Sequence, residues 1–400
     1  MGKDLKGKEL GKGIRQKKCG TYEARALIKG VTVNVCNVSL KKCKEEFEIQ
    51  KELAKKSLDA RKKDVTLNDW YNEWFEKYKK PKIKETSISV MKRKYNNSFG
   101  KQIGTKKIVD ILNIDIQTVI NQMKEQNKST STMRSALGIV RECLESAKNN
   151  RIIDINPCFD IMIPWEQKSK LRRFLTKEEQ KVFLERTIFR NDWYQEMFYV
   201  MFFTGMRIGE VGGLKWKDID FKNKFIKINR SLSCQYENGE KKIYLTTPKT
   251  HNSYRQIPFM GDIEEKLIIQ REKQRKARKQ LGDRWREENN VEDLVFTTSL
   301  GSPVTRYIAE KQINKIVKEI NEEEMFNAIN EKRTPNLFEK MYPHAIRHTF
   351  CSRCFEYGLN PKVVQGLMGH QHYSTTIDIY THTTKENIQE EVDKFNECIS

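Results

Sequence analysis

The sequence contains no apolar run of the roughly 18 residues that a helix needs to cross a bilayer. Residues 1–18 are basic and glycine-rich, and they lack the apolar centre of a secretory signal peptide. The nine cysteines are odd in number and scattered, which argues against a disulfide framework and for a reducing compartment. These absences argue against membrane-spanning and disulfide-stapled secreted proteins, and they predict a cytoplasmic location with no membrane partner.

Acidic residues are too few to balance the basic ones. Lys and Arg total 75 whereas Asp and Glu total 54, which leaves a formal net charge of +21. On a chain with 10% aromatic residues, this excess indicates a polyanionic partner, and nucleic acid is the leading candidate. A chain of 400 residues is also too long for one ordinary core, so we expect two or three domains.

The sequence also lacks a carboxylate cluster typical of a metal site. One C-x-x-C pair, Cys351 and Cys354, lies near His344 and His348, and such spacing can bind zinc. The pair falls inside a predicted helix and has no second cysteine pair, so buried small side chains are the preferred interpretation. We therefore expect neither a metal nor another cofactor.

Two segments precede residue 164. Residues 1–62 form a basic segment that alternates like strands near 20–28 and 31–38 and then turns helical. This pattern predicts a small DNA-binding sheet backed by a helix, and the alternative is a basic tail. Residues 63–163 carry helical patterns, among them an aromatic stripe over 67–78 that predicts a core rather than a base-stacking platform.

Two further segments complete the chain. Residues 164–174 have the composition of an exposed basic linker, and a capping-box pattern at Thr176 opens a domain over 175–400. This domain begins with helices. Three strand-like stretches follow, and Asn238-Gly239 predicts a hairpin between the first two, at 225–229, 242–246 and 253–258.

Six residues of the C-terminal half together provide the groups needed to cut a phosphodiester without a metal: Arg207, Lys249, His344, Arg347, His370 and Tyr380. Arg207 follows the helix-breaking Gly205, and its planar fork suits two phosphate oxygens. Glu210, one turn later, would orient it, and the alternative is an ordinary surface acid. His344 and Arg347 lie three apart on a predicted helix, so both project to one side as a second clamp.

The remaining groups supply proton transfer and attack. Lys249, at a predicted hairpin tip, would protonate the leaving 5′ oxygen, although a lone turn lysine is usually a surface residue. His370 would donate to the nonbridging oxygens. The hydroxyl of Tyr380 would attack phosphorus, which gives a 3′-phosphotyrosine and a free 5′ hydroxyl. Tyr373 is the competing nucleophile, only three residues after His370.

These segments resemble the tyrosine recombinase (integrase) family in wording and order: TGMRIGE at 204–210, TPKT at 247–250, HAIR at 344–347, MGH at 368–370 and IYTH at 379–382. The resemblance favours Tyr380 over Tyr373. It implies a multidomain protein, mainly α with small β-sheets: a three-stranded arm-binding unit, a helical core-binding domain and a mixed α+β catalytic domain. The chain departs from many members by one extra residue between His370 and Tyr380, and by Gly209 where small polar residues are common.

The resemblance also implies an activity and partners. The expected enzyme is a metal- and ATP-independent integrase that integrates and excises a mobile element, such as a conjugative transposon, through a Holliday junction. Its partners would be core and arm sites on double-stranded DNA, three further copies of itself, an excisionase or directionality factor, and a host DNA-bending protein. A helix over about 385–398 would dock on a neighbouring protomer. The alternatives are a chromosome-dimer resolvase or topoisomerase with the same chemistry, and a non-catalytic DNA-binding regulator.

Overall fold

The computed structural model describes residues 2–28, 31–164, 173–237, 240–247, 253–287 and 291–386. These residues form two compact units, which divide between residues 169 and 170. Residues 165–172 of the expected linker lie outside the described residues, and so do residues 387–400, which include most of the helix expected over 385–398. Within the described residues, no helix is both long and apolar enough to cross a membrane.

The first unit begins with a small antiparallel sheet backed by one helix. The strands are β1 (Gly2–Lys3), β2 (Glu9–Gly11), β3 (Ile14–Gln16), β4 (Tyr22–Ile28) and β5 (Val31–Asn37), followed by helix α1 (Leu40–Asp64). β4 is the centre of a three-stranded sheet in the order β3-β4-β5. Alternate residues of the strands pack with α1 into one core, formed by Leu10, Ile14, Ala24, Val33, Cys43 and Phe47.

The rest of the first unit is helical. Its helices are α2 (Leu67–Trp74), α3 (Glu85–Tyr95), α4 (Lys101–Ile103), α5 (Asn113–Glu125) and α6 (Thr130–Asn149). Thr66 and Asp69 form a capping box at the start of α2, and a π-helical turn continues this helix over Phe75–Lys79. The aromatic stripe is core as predicted, because all its members but Tyr78 are buried. The Tyr71 ring stacks on Tyr95 with centroids 3.5 Å apart.

The second unit contains eight described helices and five described strands. Its helices are α7 (Lys177–Phe189), α8 (Gln195–Thr204), α9 (Ile208–Gly212), α10 (Ile263–Leu281), α11 (Arg306–Asn330), α12 (Pro343–Glu356), α13 (Pro361–Met368) and α14 (Tyr373–Glu386). The predicted capping box opens α7, where Thr176 and Glu179 exchange hydrogen bonds. The strands are β6 (Ile219–Asp220), β7 (Phe225–Ile228), β8 (Ser231–Glu237), β9 (Glu240–Thr246) and β10 (Arg255–Pro258).

Strand pairing in this unit corrects the sequence-based expectation. The strand pairing predicted around Asn238-Gly239 is present, since Glu237 pairs with Glu240, but its first strand is β8 and not the predicted β7. β10 pairs instead with β7, in the order β10-β7-β6. The described strands on either side of Lys249 in the chain, β9 and β10, belong to different sheets, so the hairpin expected between them is not found among the described residues. The fold class is confirmed: the chain is mainly helical, with small sheets in both units.

Candidate active site

Two helices of the second unit end at glycines that bring main-chain carbonyls into the candidate site. α8 ends at Gly205 (φ +60°) and α13 ends at Gly369 (φ +62°), both in the left-handed region that glycine adopts without strain. A Cβ on Gly205 would lie 2.3 Å from Cδ1 of Phe350, so a larger residue does not fit there. The two helix ends thus present terminal carbonyls, the negative end of a helix dipole.

Arg207 lies at the N-cap position of α9, directly after the end of α8. Its Nη2 donates to the Gly369 carbonyl (3.1 Å), and its Nη1 donates to Oε1 of Glu210 (2.8 Å). The side chain keeps 34% of its surface exposed. Arg207 is therefore held in place by two acceptors and still accessible to an anion from solvent.

Arg347, in the second turn of α12, is 2% exposed. Its Nη1 donates to the Gly205 carbonyl (2.5 Å) and its Nη2 donates to the Met368 carbonyl. Burial, and then the neighbouring charge of Arg207, lowers the pKa of Arg347 to about 9, so the guanidinium stays charged at neutral pH. This arginine joins the ends of α8 and α13.

His344 precedes Arg347 by one turn of α12 and is exposed. Its ring lies 6.0 Å from the ring of His348, centroid to centroid, with 29° between the planes. The predicted H-x-x-R arrangement is therefore present on one helix, although one member is exposed and the other is buried.

His370 follows Gly369 and is 8% exposed. Its Nδ1 lies 2.9 Å from the hydroxyl of Thr376 on α14 and shares a hydrogen bond with it. Its main-chain carbonyl accepts a hydrogen bond from Nε2 of Gln365 (3.1 Å). Burial, and then the charges of Arg347 and Arg207, lowers the pKa of His370 to about 3. The ring is thus neutral at physiological pH, and Thr376 engages one of its two nitrogens.

Glu210 is not a surface acid: it is 5% exposed and accepts four hydrogen bonds. Its oxygens receive Nη1 (2.8 Å) and the main-chain N (2.9 Å) of Arg207, and Nη1 (3.1 Å) and Nη2 (2.8 Å) of Arg255. Burial alone would raise the pKa of Glu210, but the Arg255 hydrogen bonds and nearby arginine charges lower it to about 2. The sequence analysis missed Arg255. Arg255 lies in a strand that was predicted correctly. The only signal in the sequence was Glu210 itself, because a buried carboxylate next to Arg207 needs a second cation.

The candidate nucleophile is located by the helix that carries it. Tyr380 lies in α14, one turn after the buried Thr376, and its side chain lies outside the described part of the chain. Ile379 packs with α12 and α13 residues in one apolar cluster, so α14 docks on its own unit. Tyr373, the competitor, begins α14, is 44% exposed, and has the Lys362 ammonium 5.8 Å from its ring centroid. Lys249 lies outside the described residues.

The structure therefore brings Arg207, Arg347, His370 and Glu210 together, with His344 on the same helix as Arg347. Two guanidinium groups and a neutral imidazole next to one another suit a phosphodiester anion. Cys351 and Cys354 are buried as expected, which raises the pKa of each thiol to about 12. Over the described residues, no group of three or more His, Cys, Asp or Glu side chains could hold a metal ion.

Comparison with known proteins covers both units. The phage integrase family profile matches residues 173–387, and the profile of the phage integrase N-terminal SAM-like domain matches residues 66–124. A XerC-like tyrosine recombinase of Caldanaerobacter subterraneus subsp. tengcongensis is 29% identical over 371 residues, which cover 89% of this chain and 90% of the relative. The transposase from transposon Tn916 of Enterococcus faecalis is 24% identical over 355 residues, which cover 87% and 82%.

Solved structures show the same fold. The Tn1549 transposon integrase in complex with transposon right end DNA has a TM-score of 0.62 at 22% identity, covering 82% of this chain and 99% of that chain. A lambda integrase tetramer bound to a Holliday junction has a TM-score of 0.51 at 17% identity, covering 93% and 95%. Since the family profile spans more than half of the sequence and includes every arginine and histidine of the candidate site, the chain belongs to the phage integrase family of tyrosine recombinases.

Proposed function

We propose that this chain is a site-specific DNA recombinase that integrates and excises a mobile element of the conjugative-transposon kind. The observation that carries the proposal is that Arg207 and Arg347 both bond carbonyls at the end of α13, next to His370, whose ring bonds Thr376 on the helix that carries Tyr380. Relatives named for transposons Tn916 and Tn1549 support the choice of element. Because its substrate would be the DNA of such an element, the recombinase would act in the cytoplasm of a bacterium.

The reaction begins when the Tyr380 hydroxyl attacks the scissile phosphorus. The phenol gives its proton to solvent water because the surrounding cations favour the phenolate, an O–P bond forms to the tyrosine, and the bond from phosphorus to the 5′ oxygen breaks. Arg207 and Arg347 neutralise the growing charge on the nonbridging oxygens, while His344 and His370 donate hydrogen bonds to them. Lys249 gives its proton to the departing 5′ oxygen. A new 5′ hydroxyl reverses these steps, so joining requires neither ATP nor a metal.

The small N-terminal sheet is proposed to read arm sites. Its inner residues pack on α1, whereas Arg15, Arg25 and Asn34 alternate with them and are exposed on the opposite face. Arg25 pairs in register with Asn34 across β4 and β5, so a guanidinium and an amide lie side by side. These side chains are the kinds that recognise guanine and adenine edges in the major groove.

Each segment predicted from the sequence is proposed to have one role. Residues 1–62 bind arm sites, residues 63–163 bind core sites, residues 164–174 connect the domains, and residues 175–400 form the catalytic domain. By analogy with the lambda integrase tetramer on a Holliday junction, four copies exchange strands between two sites. The segment 385–398 would join neighbouring copies. An excisionase and a host DNA-bending protein would set direction.

A nicked suicide substrate tests the proposed function. The duplexes come from the DNA flanking the gene, with a nick just beyond the cleavage site, so the short freed strand diffuses away and traps the adduct. The wild-type chain is expected to form a covalent adduct, and Tyr380→Phe should form none while binding the same DNA. Binding without any adduct by the wild type would favour the regulator, and an adduct only on chromosomal sites elsewhere would favour the resolvase.

A separate variant tests the arm-site assignment. Arg25→Ala should weaken binding to arm-site DNA by about tenfold or more, because a bidentate base contact contributes about 1–3 kcal/mol. Cleavage of a core-only substrate should not change. Lys44→Ala, which removes the same charge from α1 on the opposite side of the sheet, is the control. Equal effects of the two variants on arm binding would contradict the assignment.

A further inference from the structure

The three terminal carbonyls of the α13 region each accept a hydrogen bond from a different arginine. Leu367 accepts from Nε of Arg255 (2.6 Å), Met368 accepts from Arg347, and Gly369 accepts from Arg207 (3.1 Å). The arginines come from β10, from α12 and from the N-cap of α9. Three cations therefore meet the negative end of one short helix, and two of them belong to the proposed catalytic set.

Arg255 differs from the other two arginines because Glu210 accepts hydrogen bonds from both of its terminal nitrogens, Nη1 and Nη2. The two side chains are each 5% exposed, and Nη1 and Nη2 of Arg255 grip the two carboxylate oxygens at 3.1 and 2.8 Å. Glu210 compensates its charge, and Leu367, Ser253 and the two Glu210 oxygens already accept hydrogen bonds from its guanidinium, so Arg255 itself does not reach a DNA phosphate. Its bonds instead connect Glu210 with the end of α13, the two groups that hold Arg207.

We infer that Arg255 is a positioning residue for strand cleavage, which fixes the direction of the Arg207 guanidinium by saturating Glu210 and anchoring the α13 carbonyls. The inference rests on the proposed recombinase function. Glu210 receives two donors from each arginine, so both of its oxygens are fully used. Without Arg255, the vacated positions attract further N–H groups of Arg207, because carboxylates favour paired contacts with a guanidinium fork. Arg207 then turns toward Glu210 and away from the phosphate.

The variants are Arg255→Met, which keeps much of the side-chain volume, and Arg255→Lys, which keeps the charge but not the fork. Arg230→Met is the matched control: Arg230 pairs with the buried Asp218 in the same unit, and within the described residues it makes no hydrogen bond or ion pair to Arg207, Glu210 or Arg347. Arg207→Ala serves as the reference for a missing clamp. Each full-length variant is assayed for DNA binding and for single-turnover cleavage of the nicked substrate.

Two forms of that substrate separate positioning from folding. One carries the natural phosphodiester, and the other carries a methylphosphonate at the scissile position, which has no negative charge for Arg207 to neutralise. In Arg255→Met, cleavage of the diester should fall about 100-fold, which is the loss expected when one electrostatic contact to the transition state is missing. In Arg255→Met the ratio of diester to methylphosphonate rates should fall by a similar factor, as in Arg207→Ala, with Arg255→Lys in between. Arg230→Met should keep the wild-type ratio.

An unchanged ratio in Arg255→Met and Arg255→Lys would overturn the positioning role, even if both rates declined together, because general damage to the fold slows both substrates alike. If Arg255→Met fails to fold, the ratio in Arg255→Lys decides the question alone. Absence of an adduct with the wild-type chain on the phosphodiester would overturn the proposed function, and the inference with it.

Discussion

Replacing Glu210 with glutamine removes the negative charge that Arg207 and Arg255 share. The carboxylate accepts four hydrogen bonds from Arg207 and Arg255, and glutamine presents an NH₂ group where two of those donors lie. Arg255, 5% exposed, is then left as a buried cation with no counterion. Breaking a buried ion pair in this way costs about 3–5 kcal/mol.

The pKa of Glu210 gives a second route to this magnitude. It lies near 2 in the folded chain and at 4.5 ordinarily, and this difference corresponds to about 3 kcal/mol of stability. Since the folded pKa is the lower one, the contribution is fully present above about pH 4.5 and is lost as the pH falls toward 2. The two routes agree that Glu210→Gln removes a large part of an ordinary domain's stability of about 5–15 kcal/mol.

Thermal unfolding of the full chain at neutral pH measures the effect. Glu339→Gln is the matched control in the same unit, because Glu339 pairs with Arg173 but is 75% exposed, and exposed pairs contribute about 1 kcal/mol or less. Glu210→Gln should lower the melting temperature of the second unit by several degrees more than the control. Equal shifts for the two variants would refute the description of Glu210 as a buried, fully bonded carboxylate.

Three further predictions concern other residues of the candidate site. Gly205→Ala should destabilise the chain by about 2–4 kcal/mol, from the left-handed backbone and the contact with Phe350, whereas Gly366→Ala in open space within α13 should be neutral or slightly stabilising; equal melting temperatures would contradict this. Thr376→Val should slow cleavage about tenfold with unchanged DNA binding, whereas Thr375→Val should not; equal cleavage rates would show that the His370 hydrogen bond is dispensable. Because the folded pKa of His370, about 3, lies below its ordinary 6.5, its contribution to stability is present above pH 6.5 and is lost as the pH falls toward 3, by up to about 1.4 kcal/mol per pH unit; His370→Asn should flatten this part of a stability–pH curve.

Local sequence signals predicted the parts of the fold that are set by neighbouring residues. The capping box at Thr176, the helix that carries His344 and Arg347, and the helix break at Gly205 were all predicted, and the structure has each of them. These features depend on residues within one or two helical turns, where side-chain caps and glycine residues determine the backbone conformation at the helix ends. For the same reason, the positions of Arg207 and of the His344–Arg347 pair on helix starts were predictable.

Long-range pairing was not predictable in the same way. Arg255 and Glu210 are 45 residues apart, and nothing in the strand pattern around Arg255 indicates its partner. The pairing of β10 with β7, rather than with its sequence neighbour β9, depends on how the strands pack in three dimensions, which alternation alone does not encode. The burial of Arg347 beside an exposed His344 likewise follows from the packing of α12 against α8 and α13, not from their spacing.

The most direct test of the account identifies the residue that becomes bonded to DNA. After trapping on the nicked substrate, nuclease and trypsin digestion should leave one modified peptide spanning 363–385, which contains both Tyr373 and Tyr380. Tandem mass spectrometry should place the 3′-phosphoryl nucleotide on Tyr380. A nucleotide on Tyr373, or on any residue outside this peptide, would contradict the assignment of the nucleophile and with it the proposed chemistry.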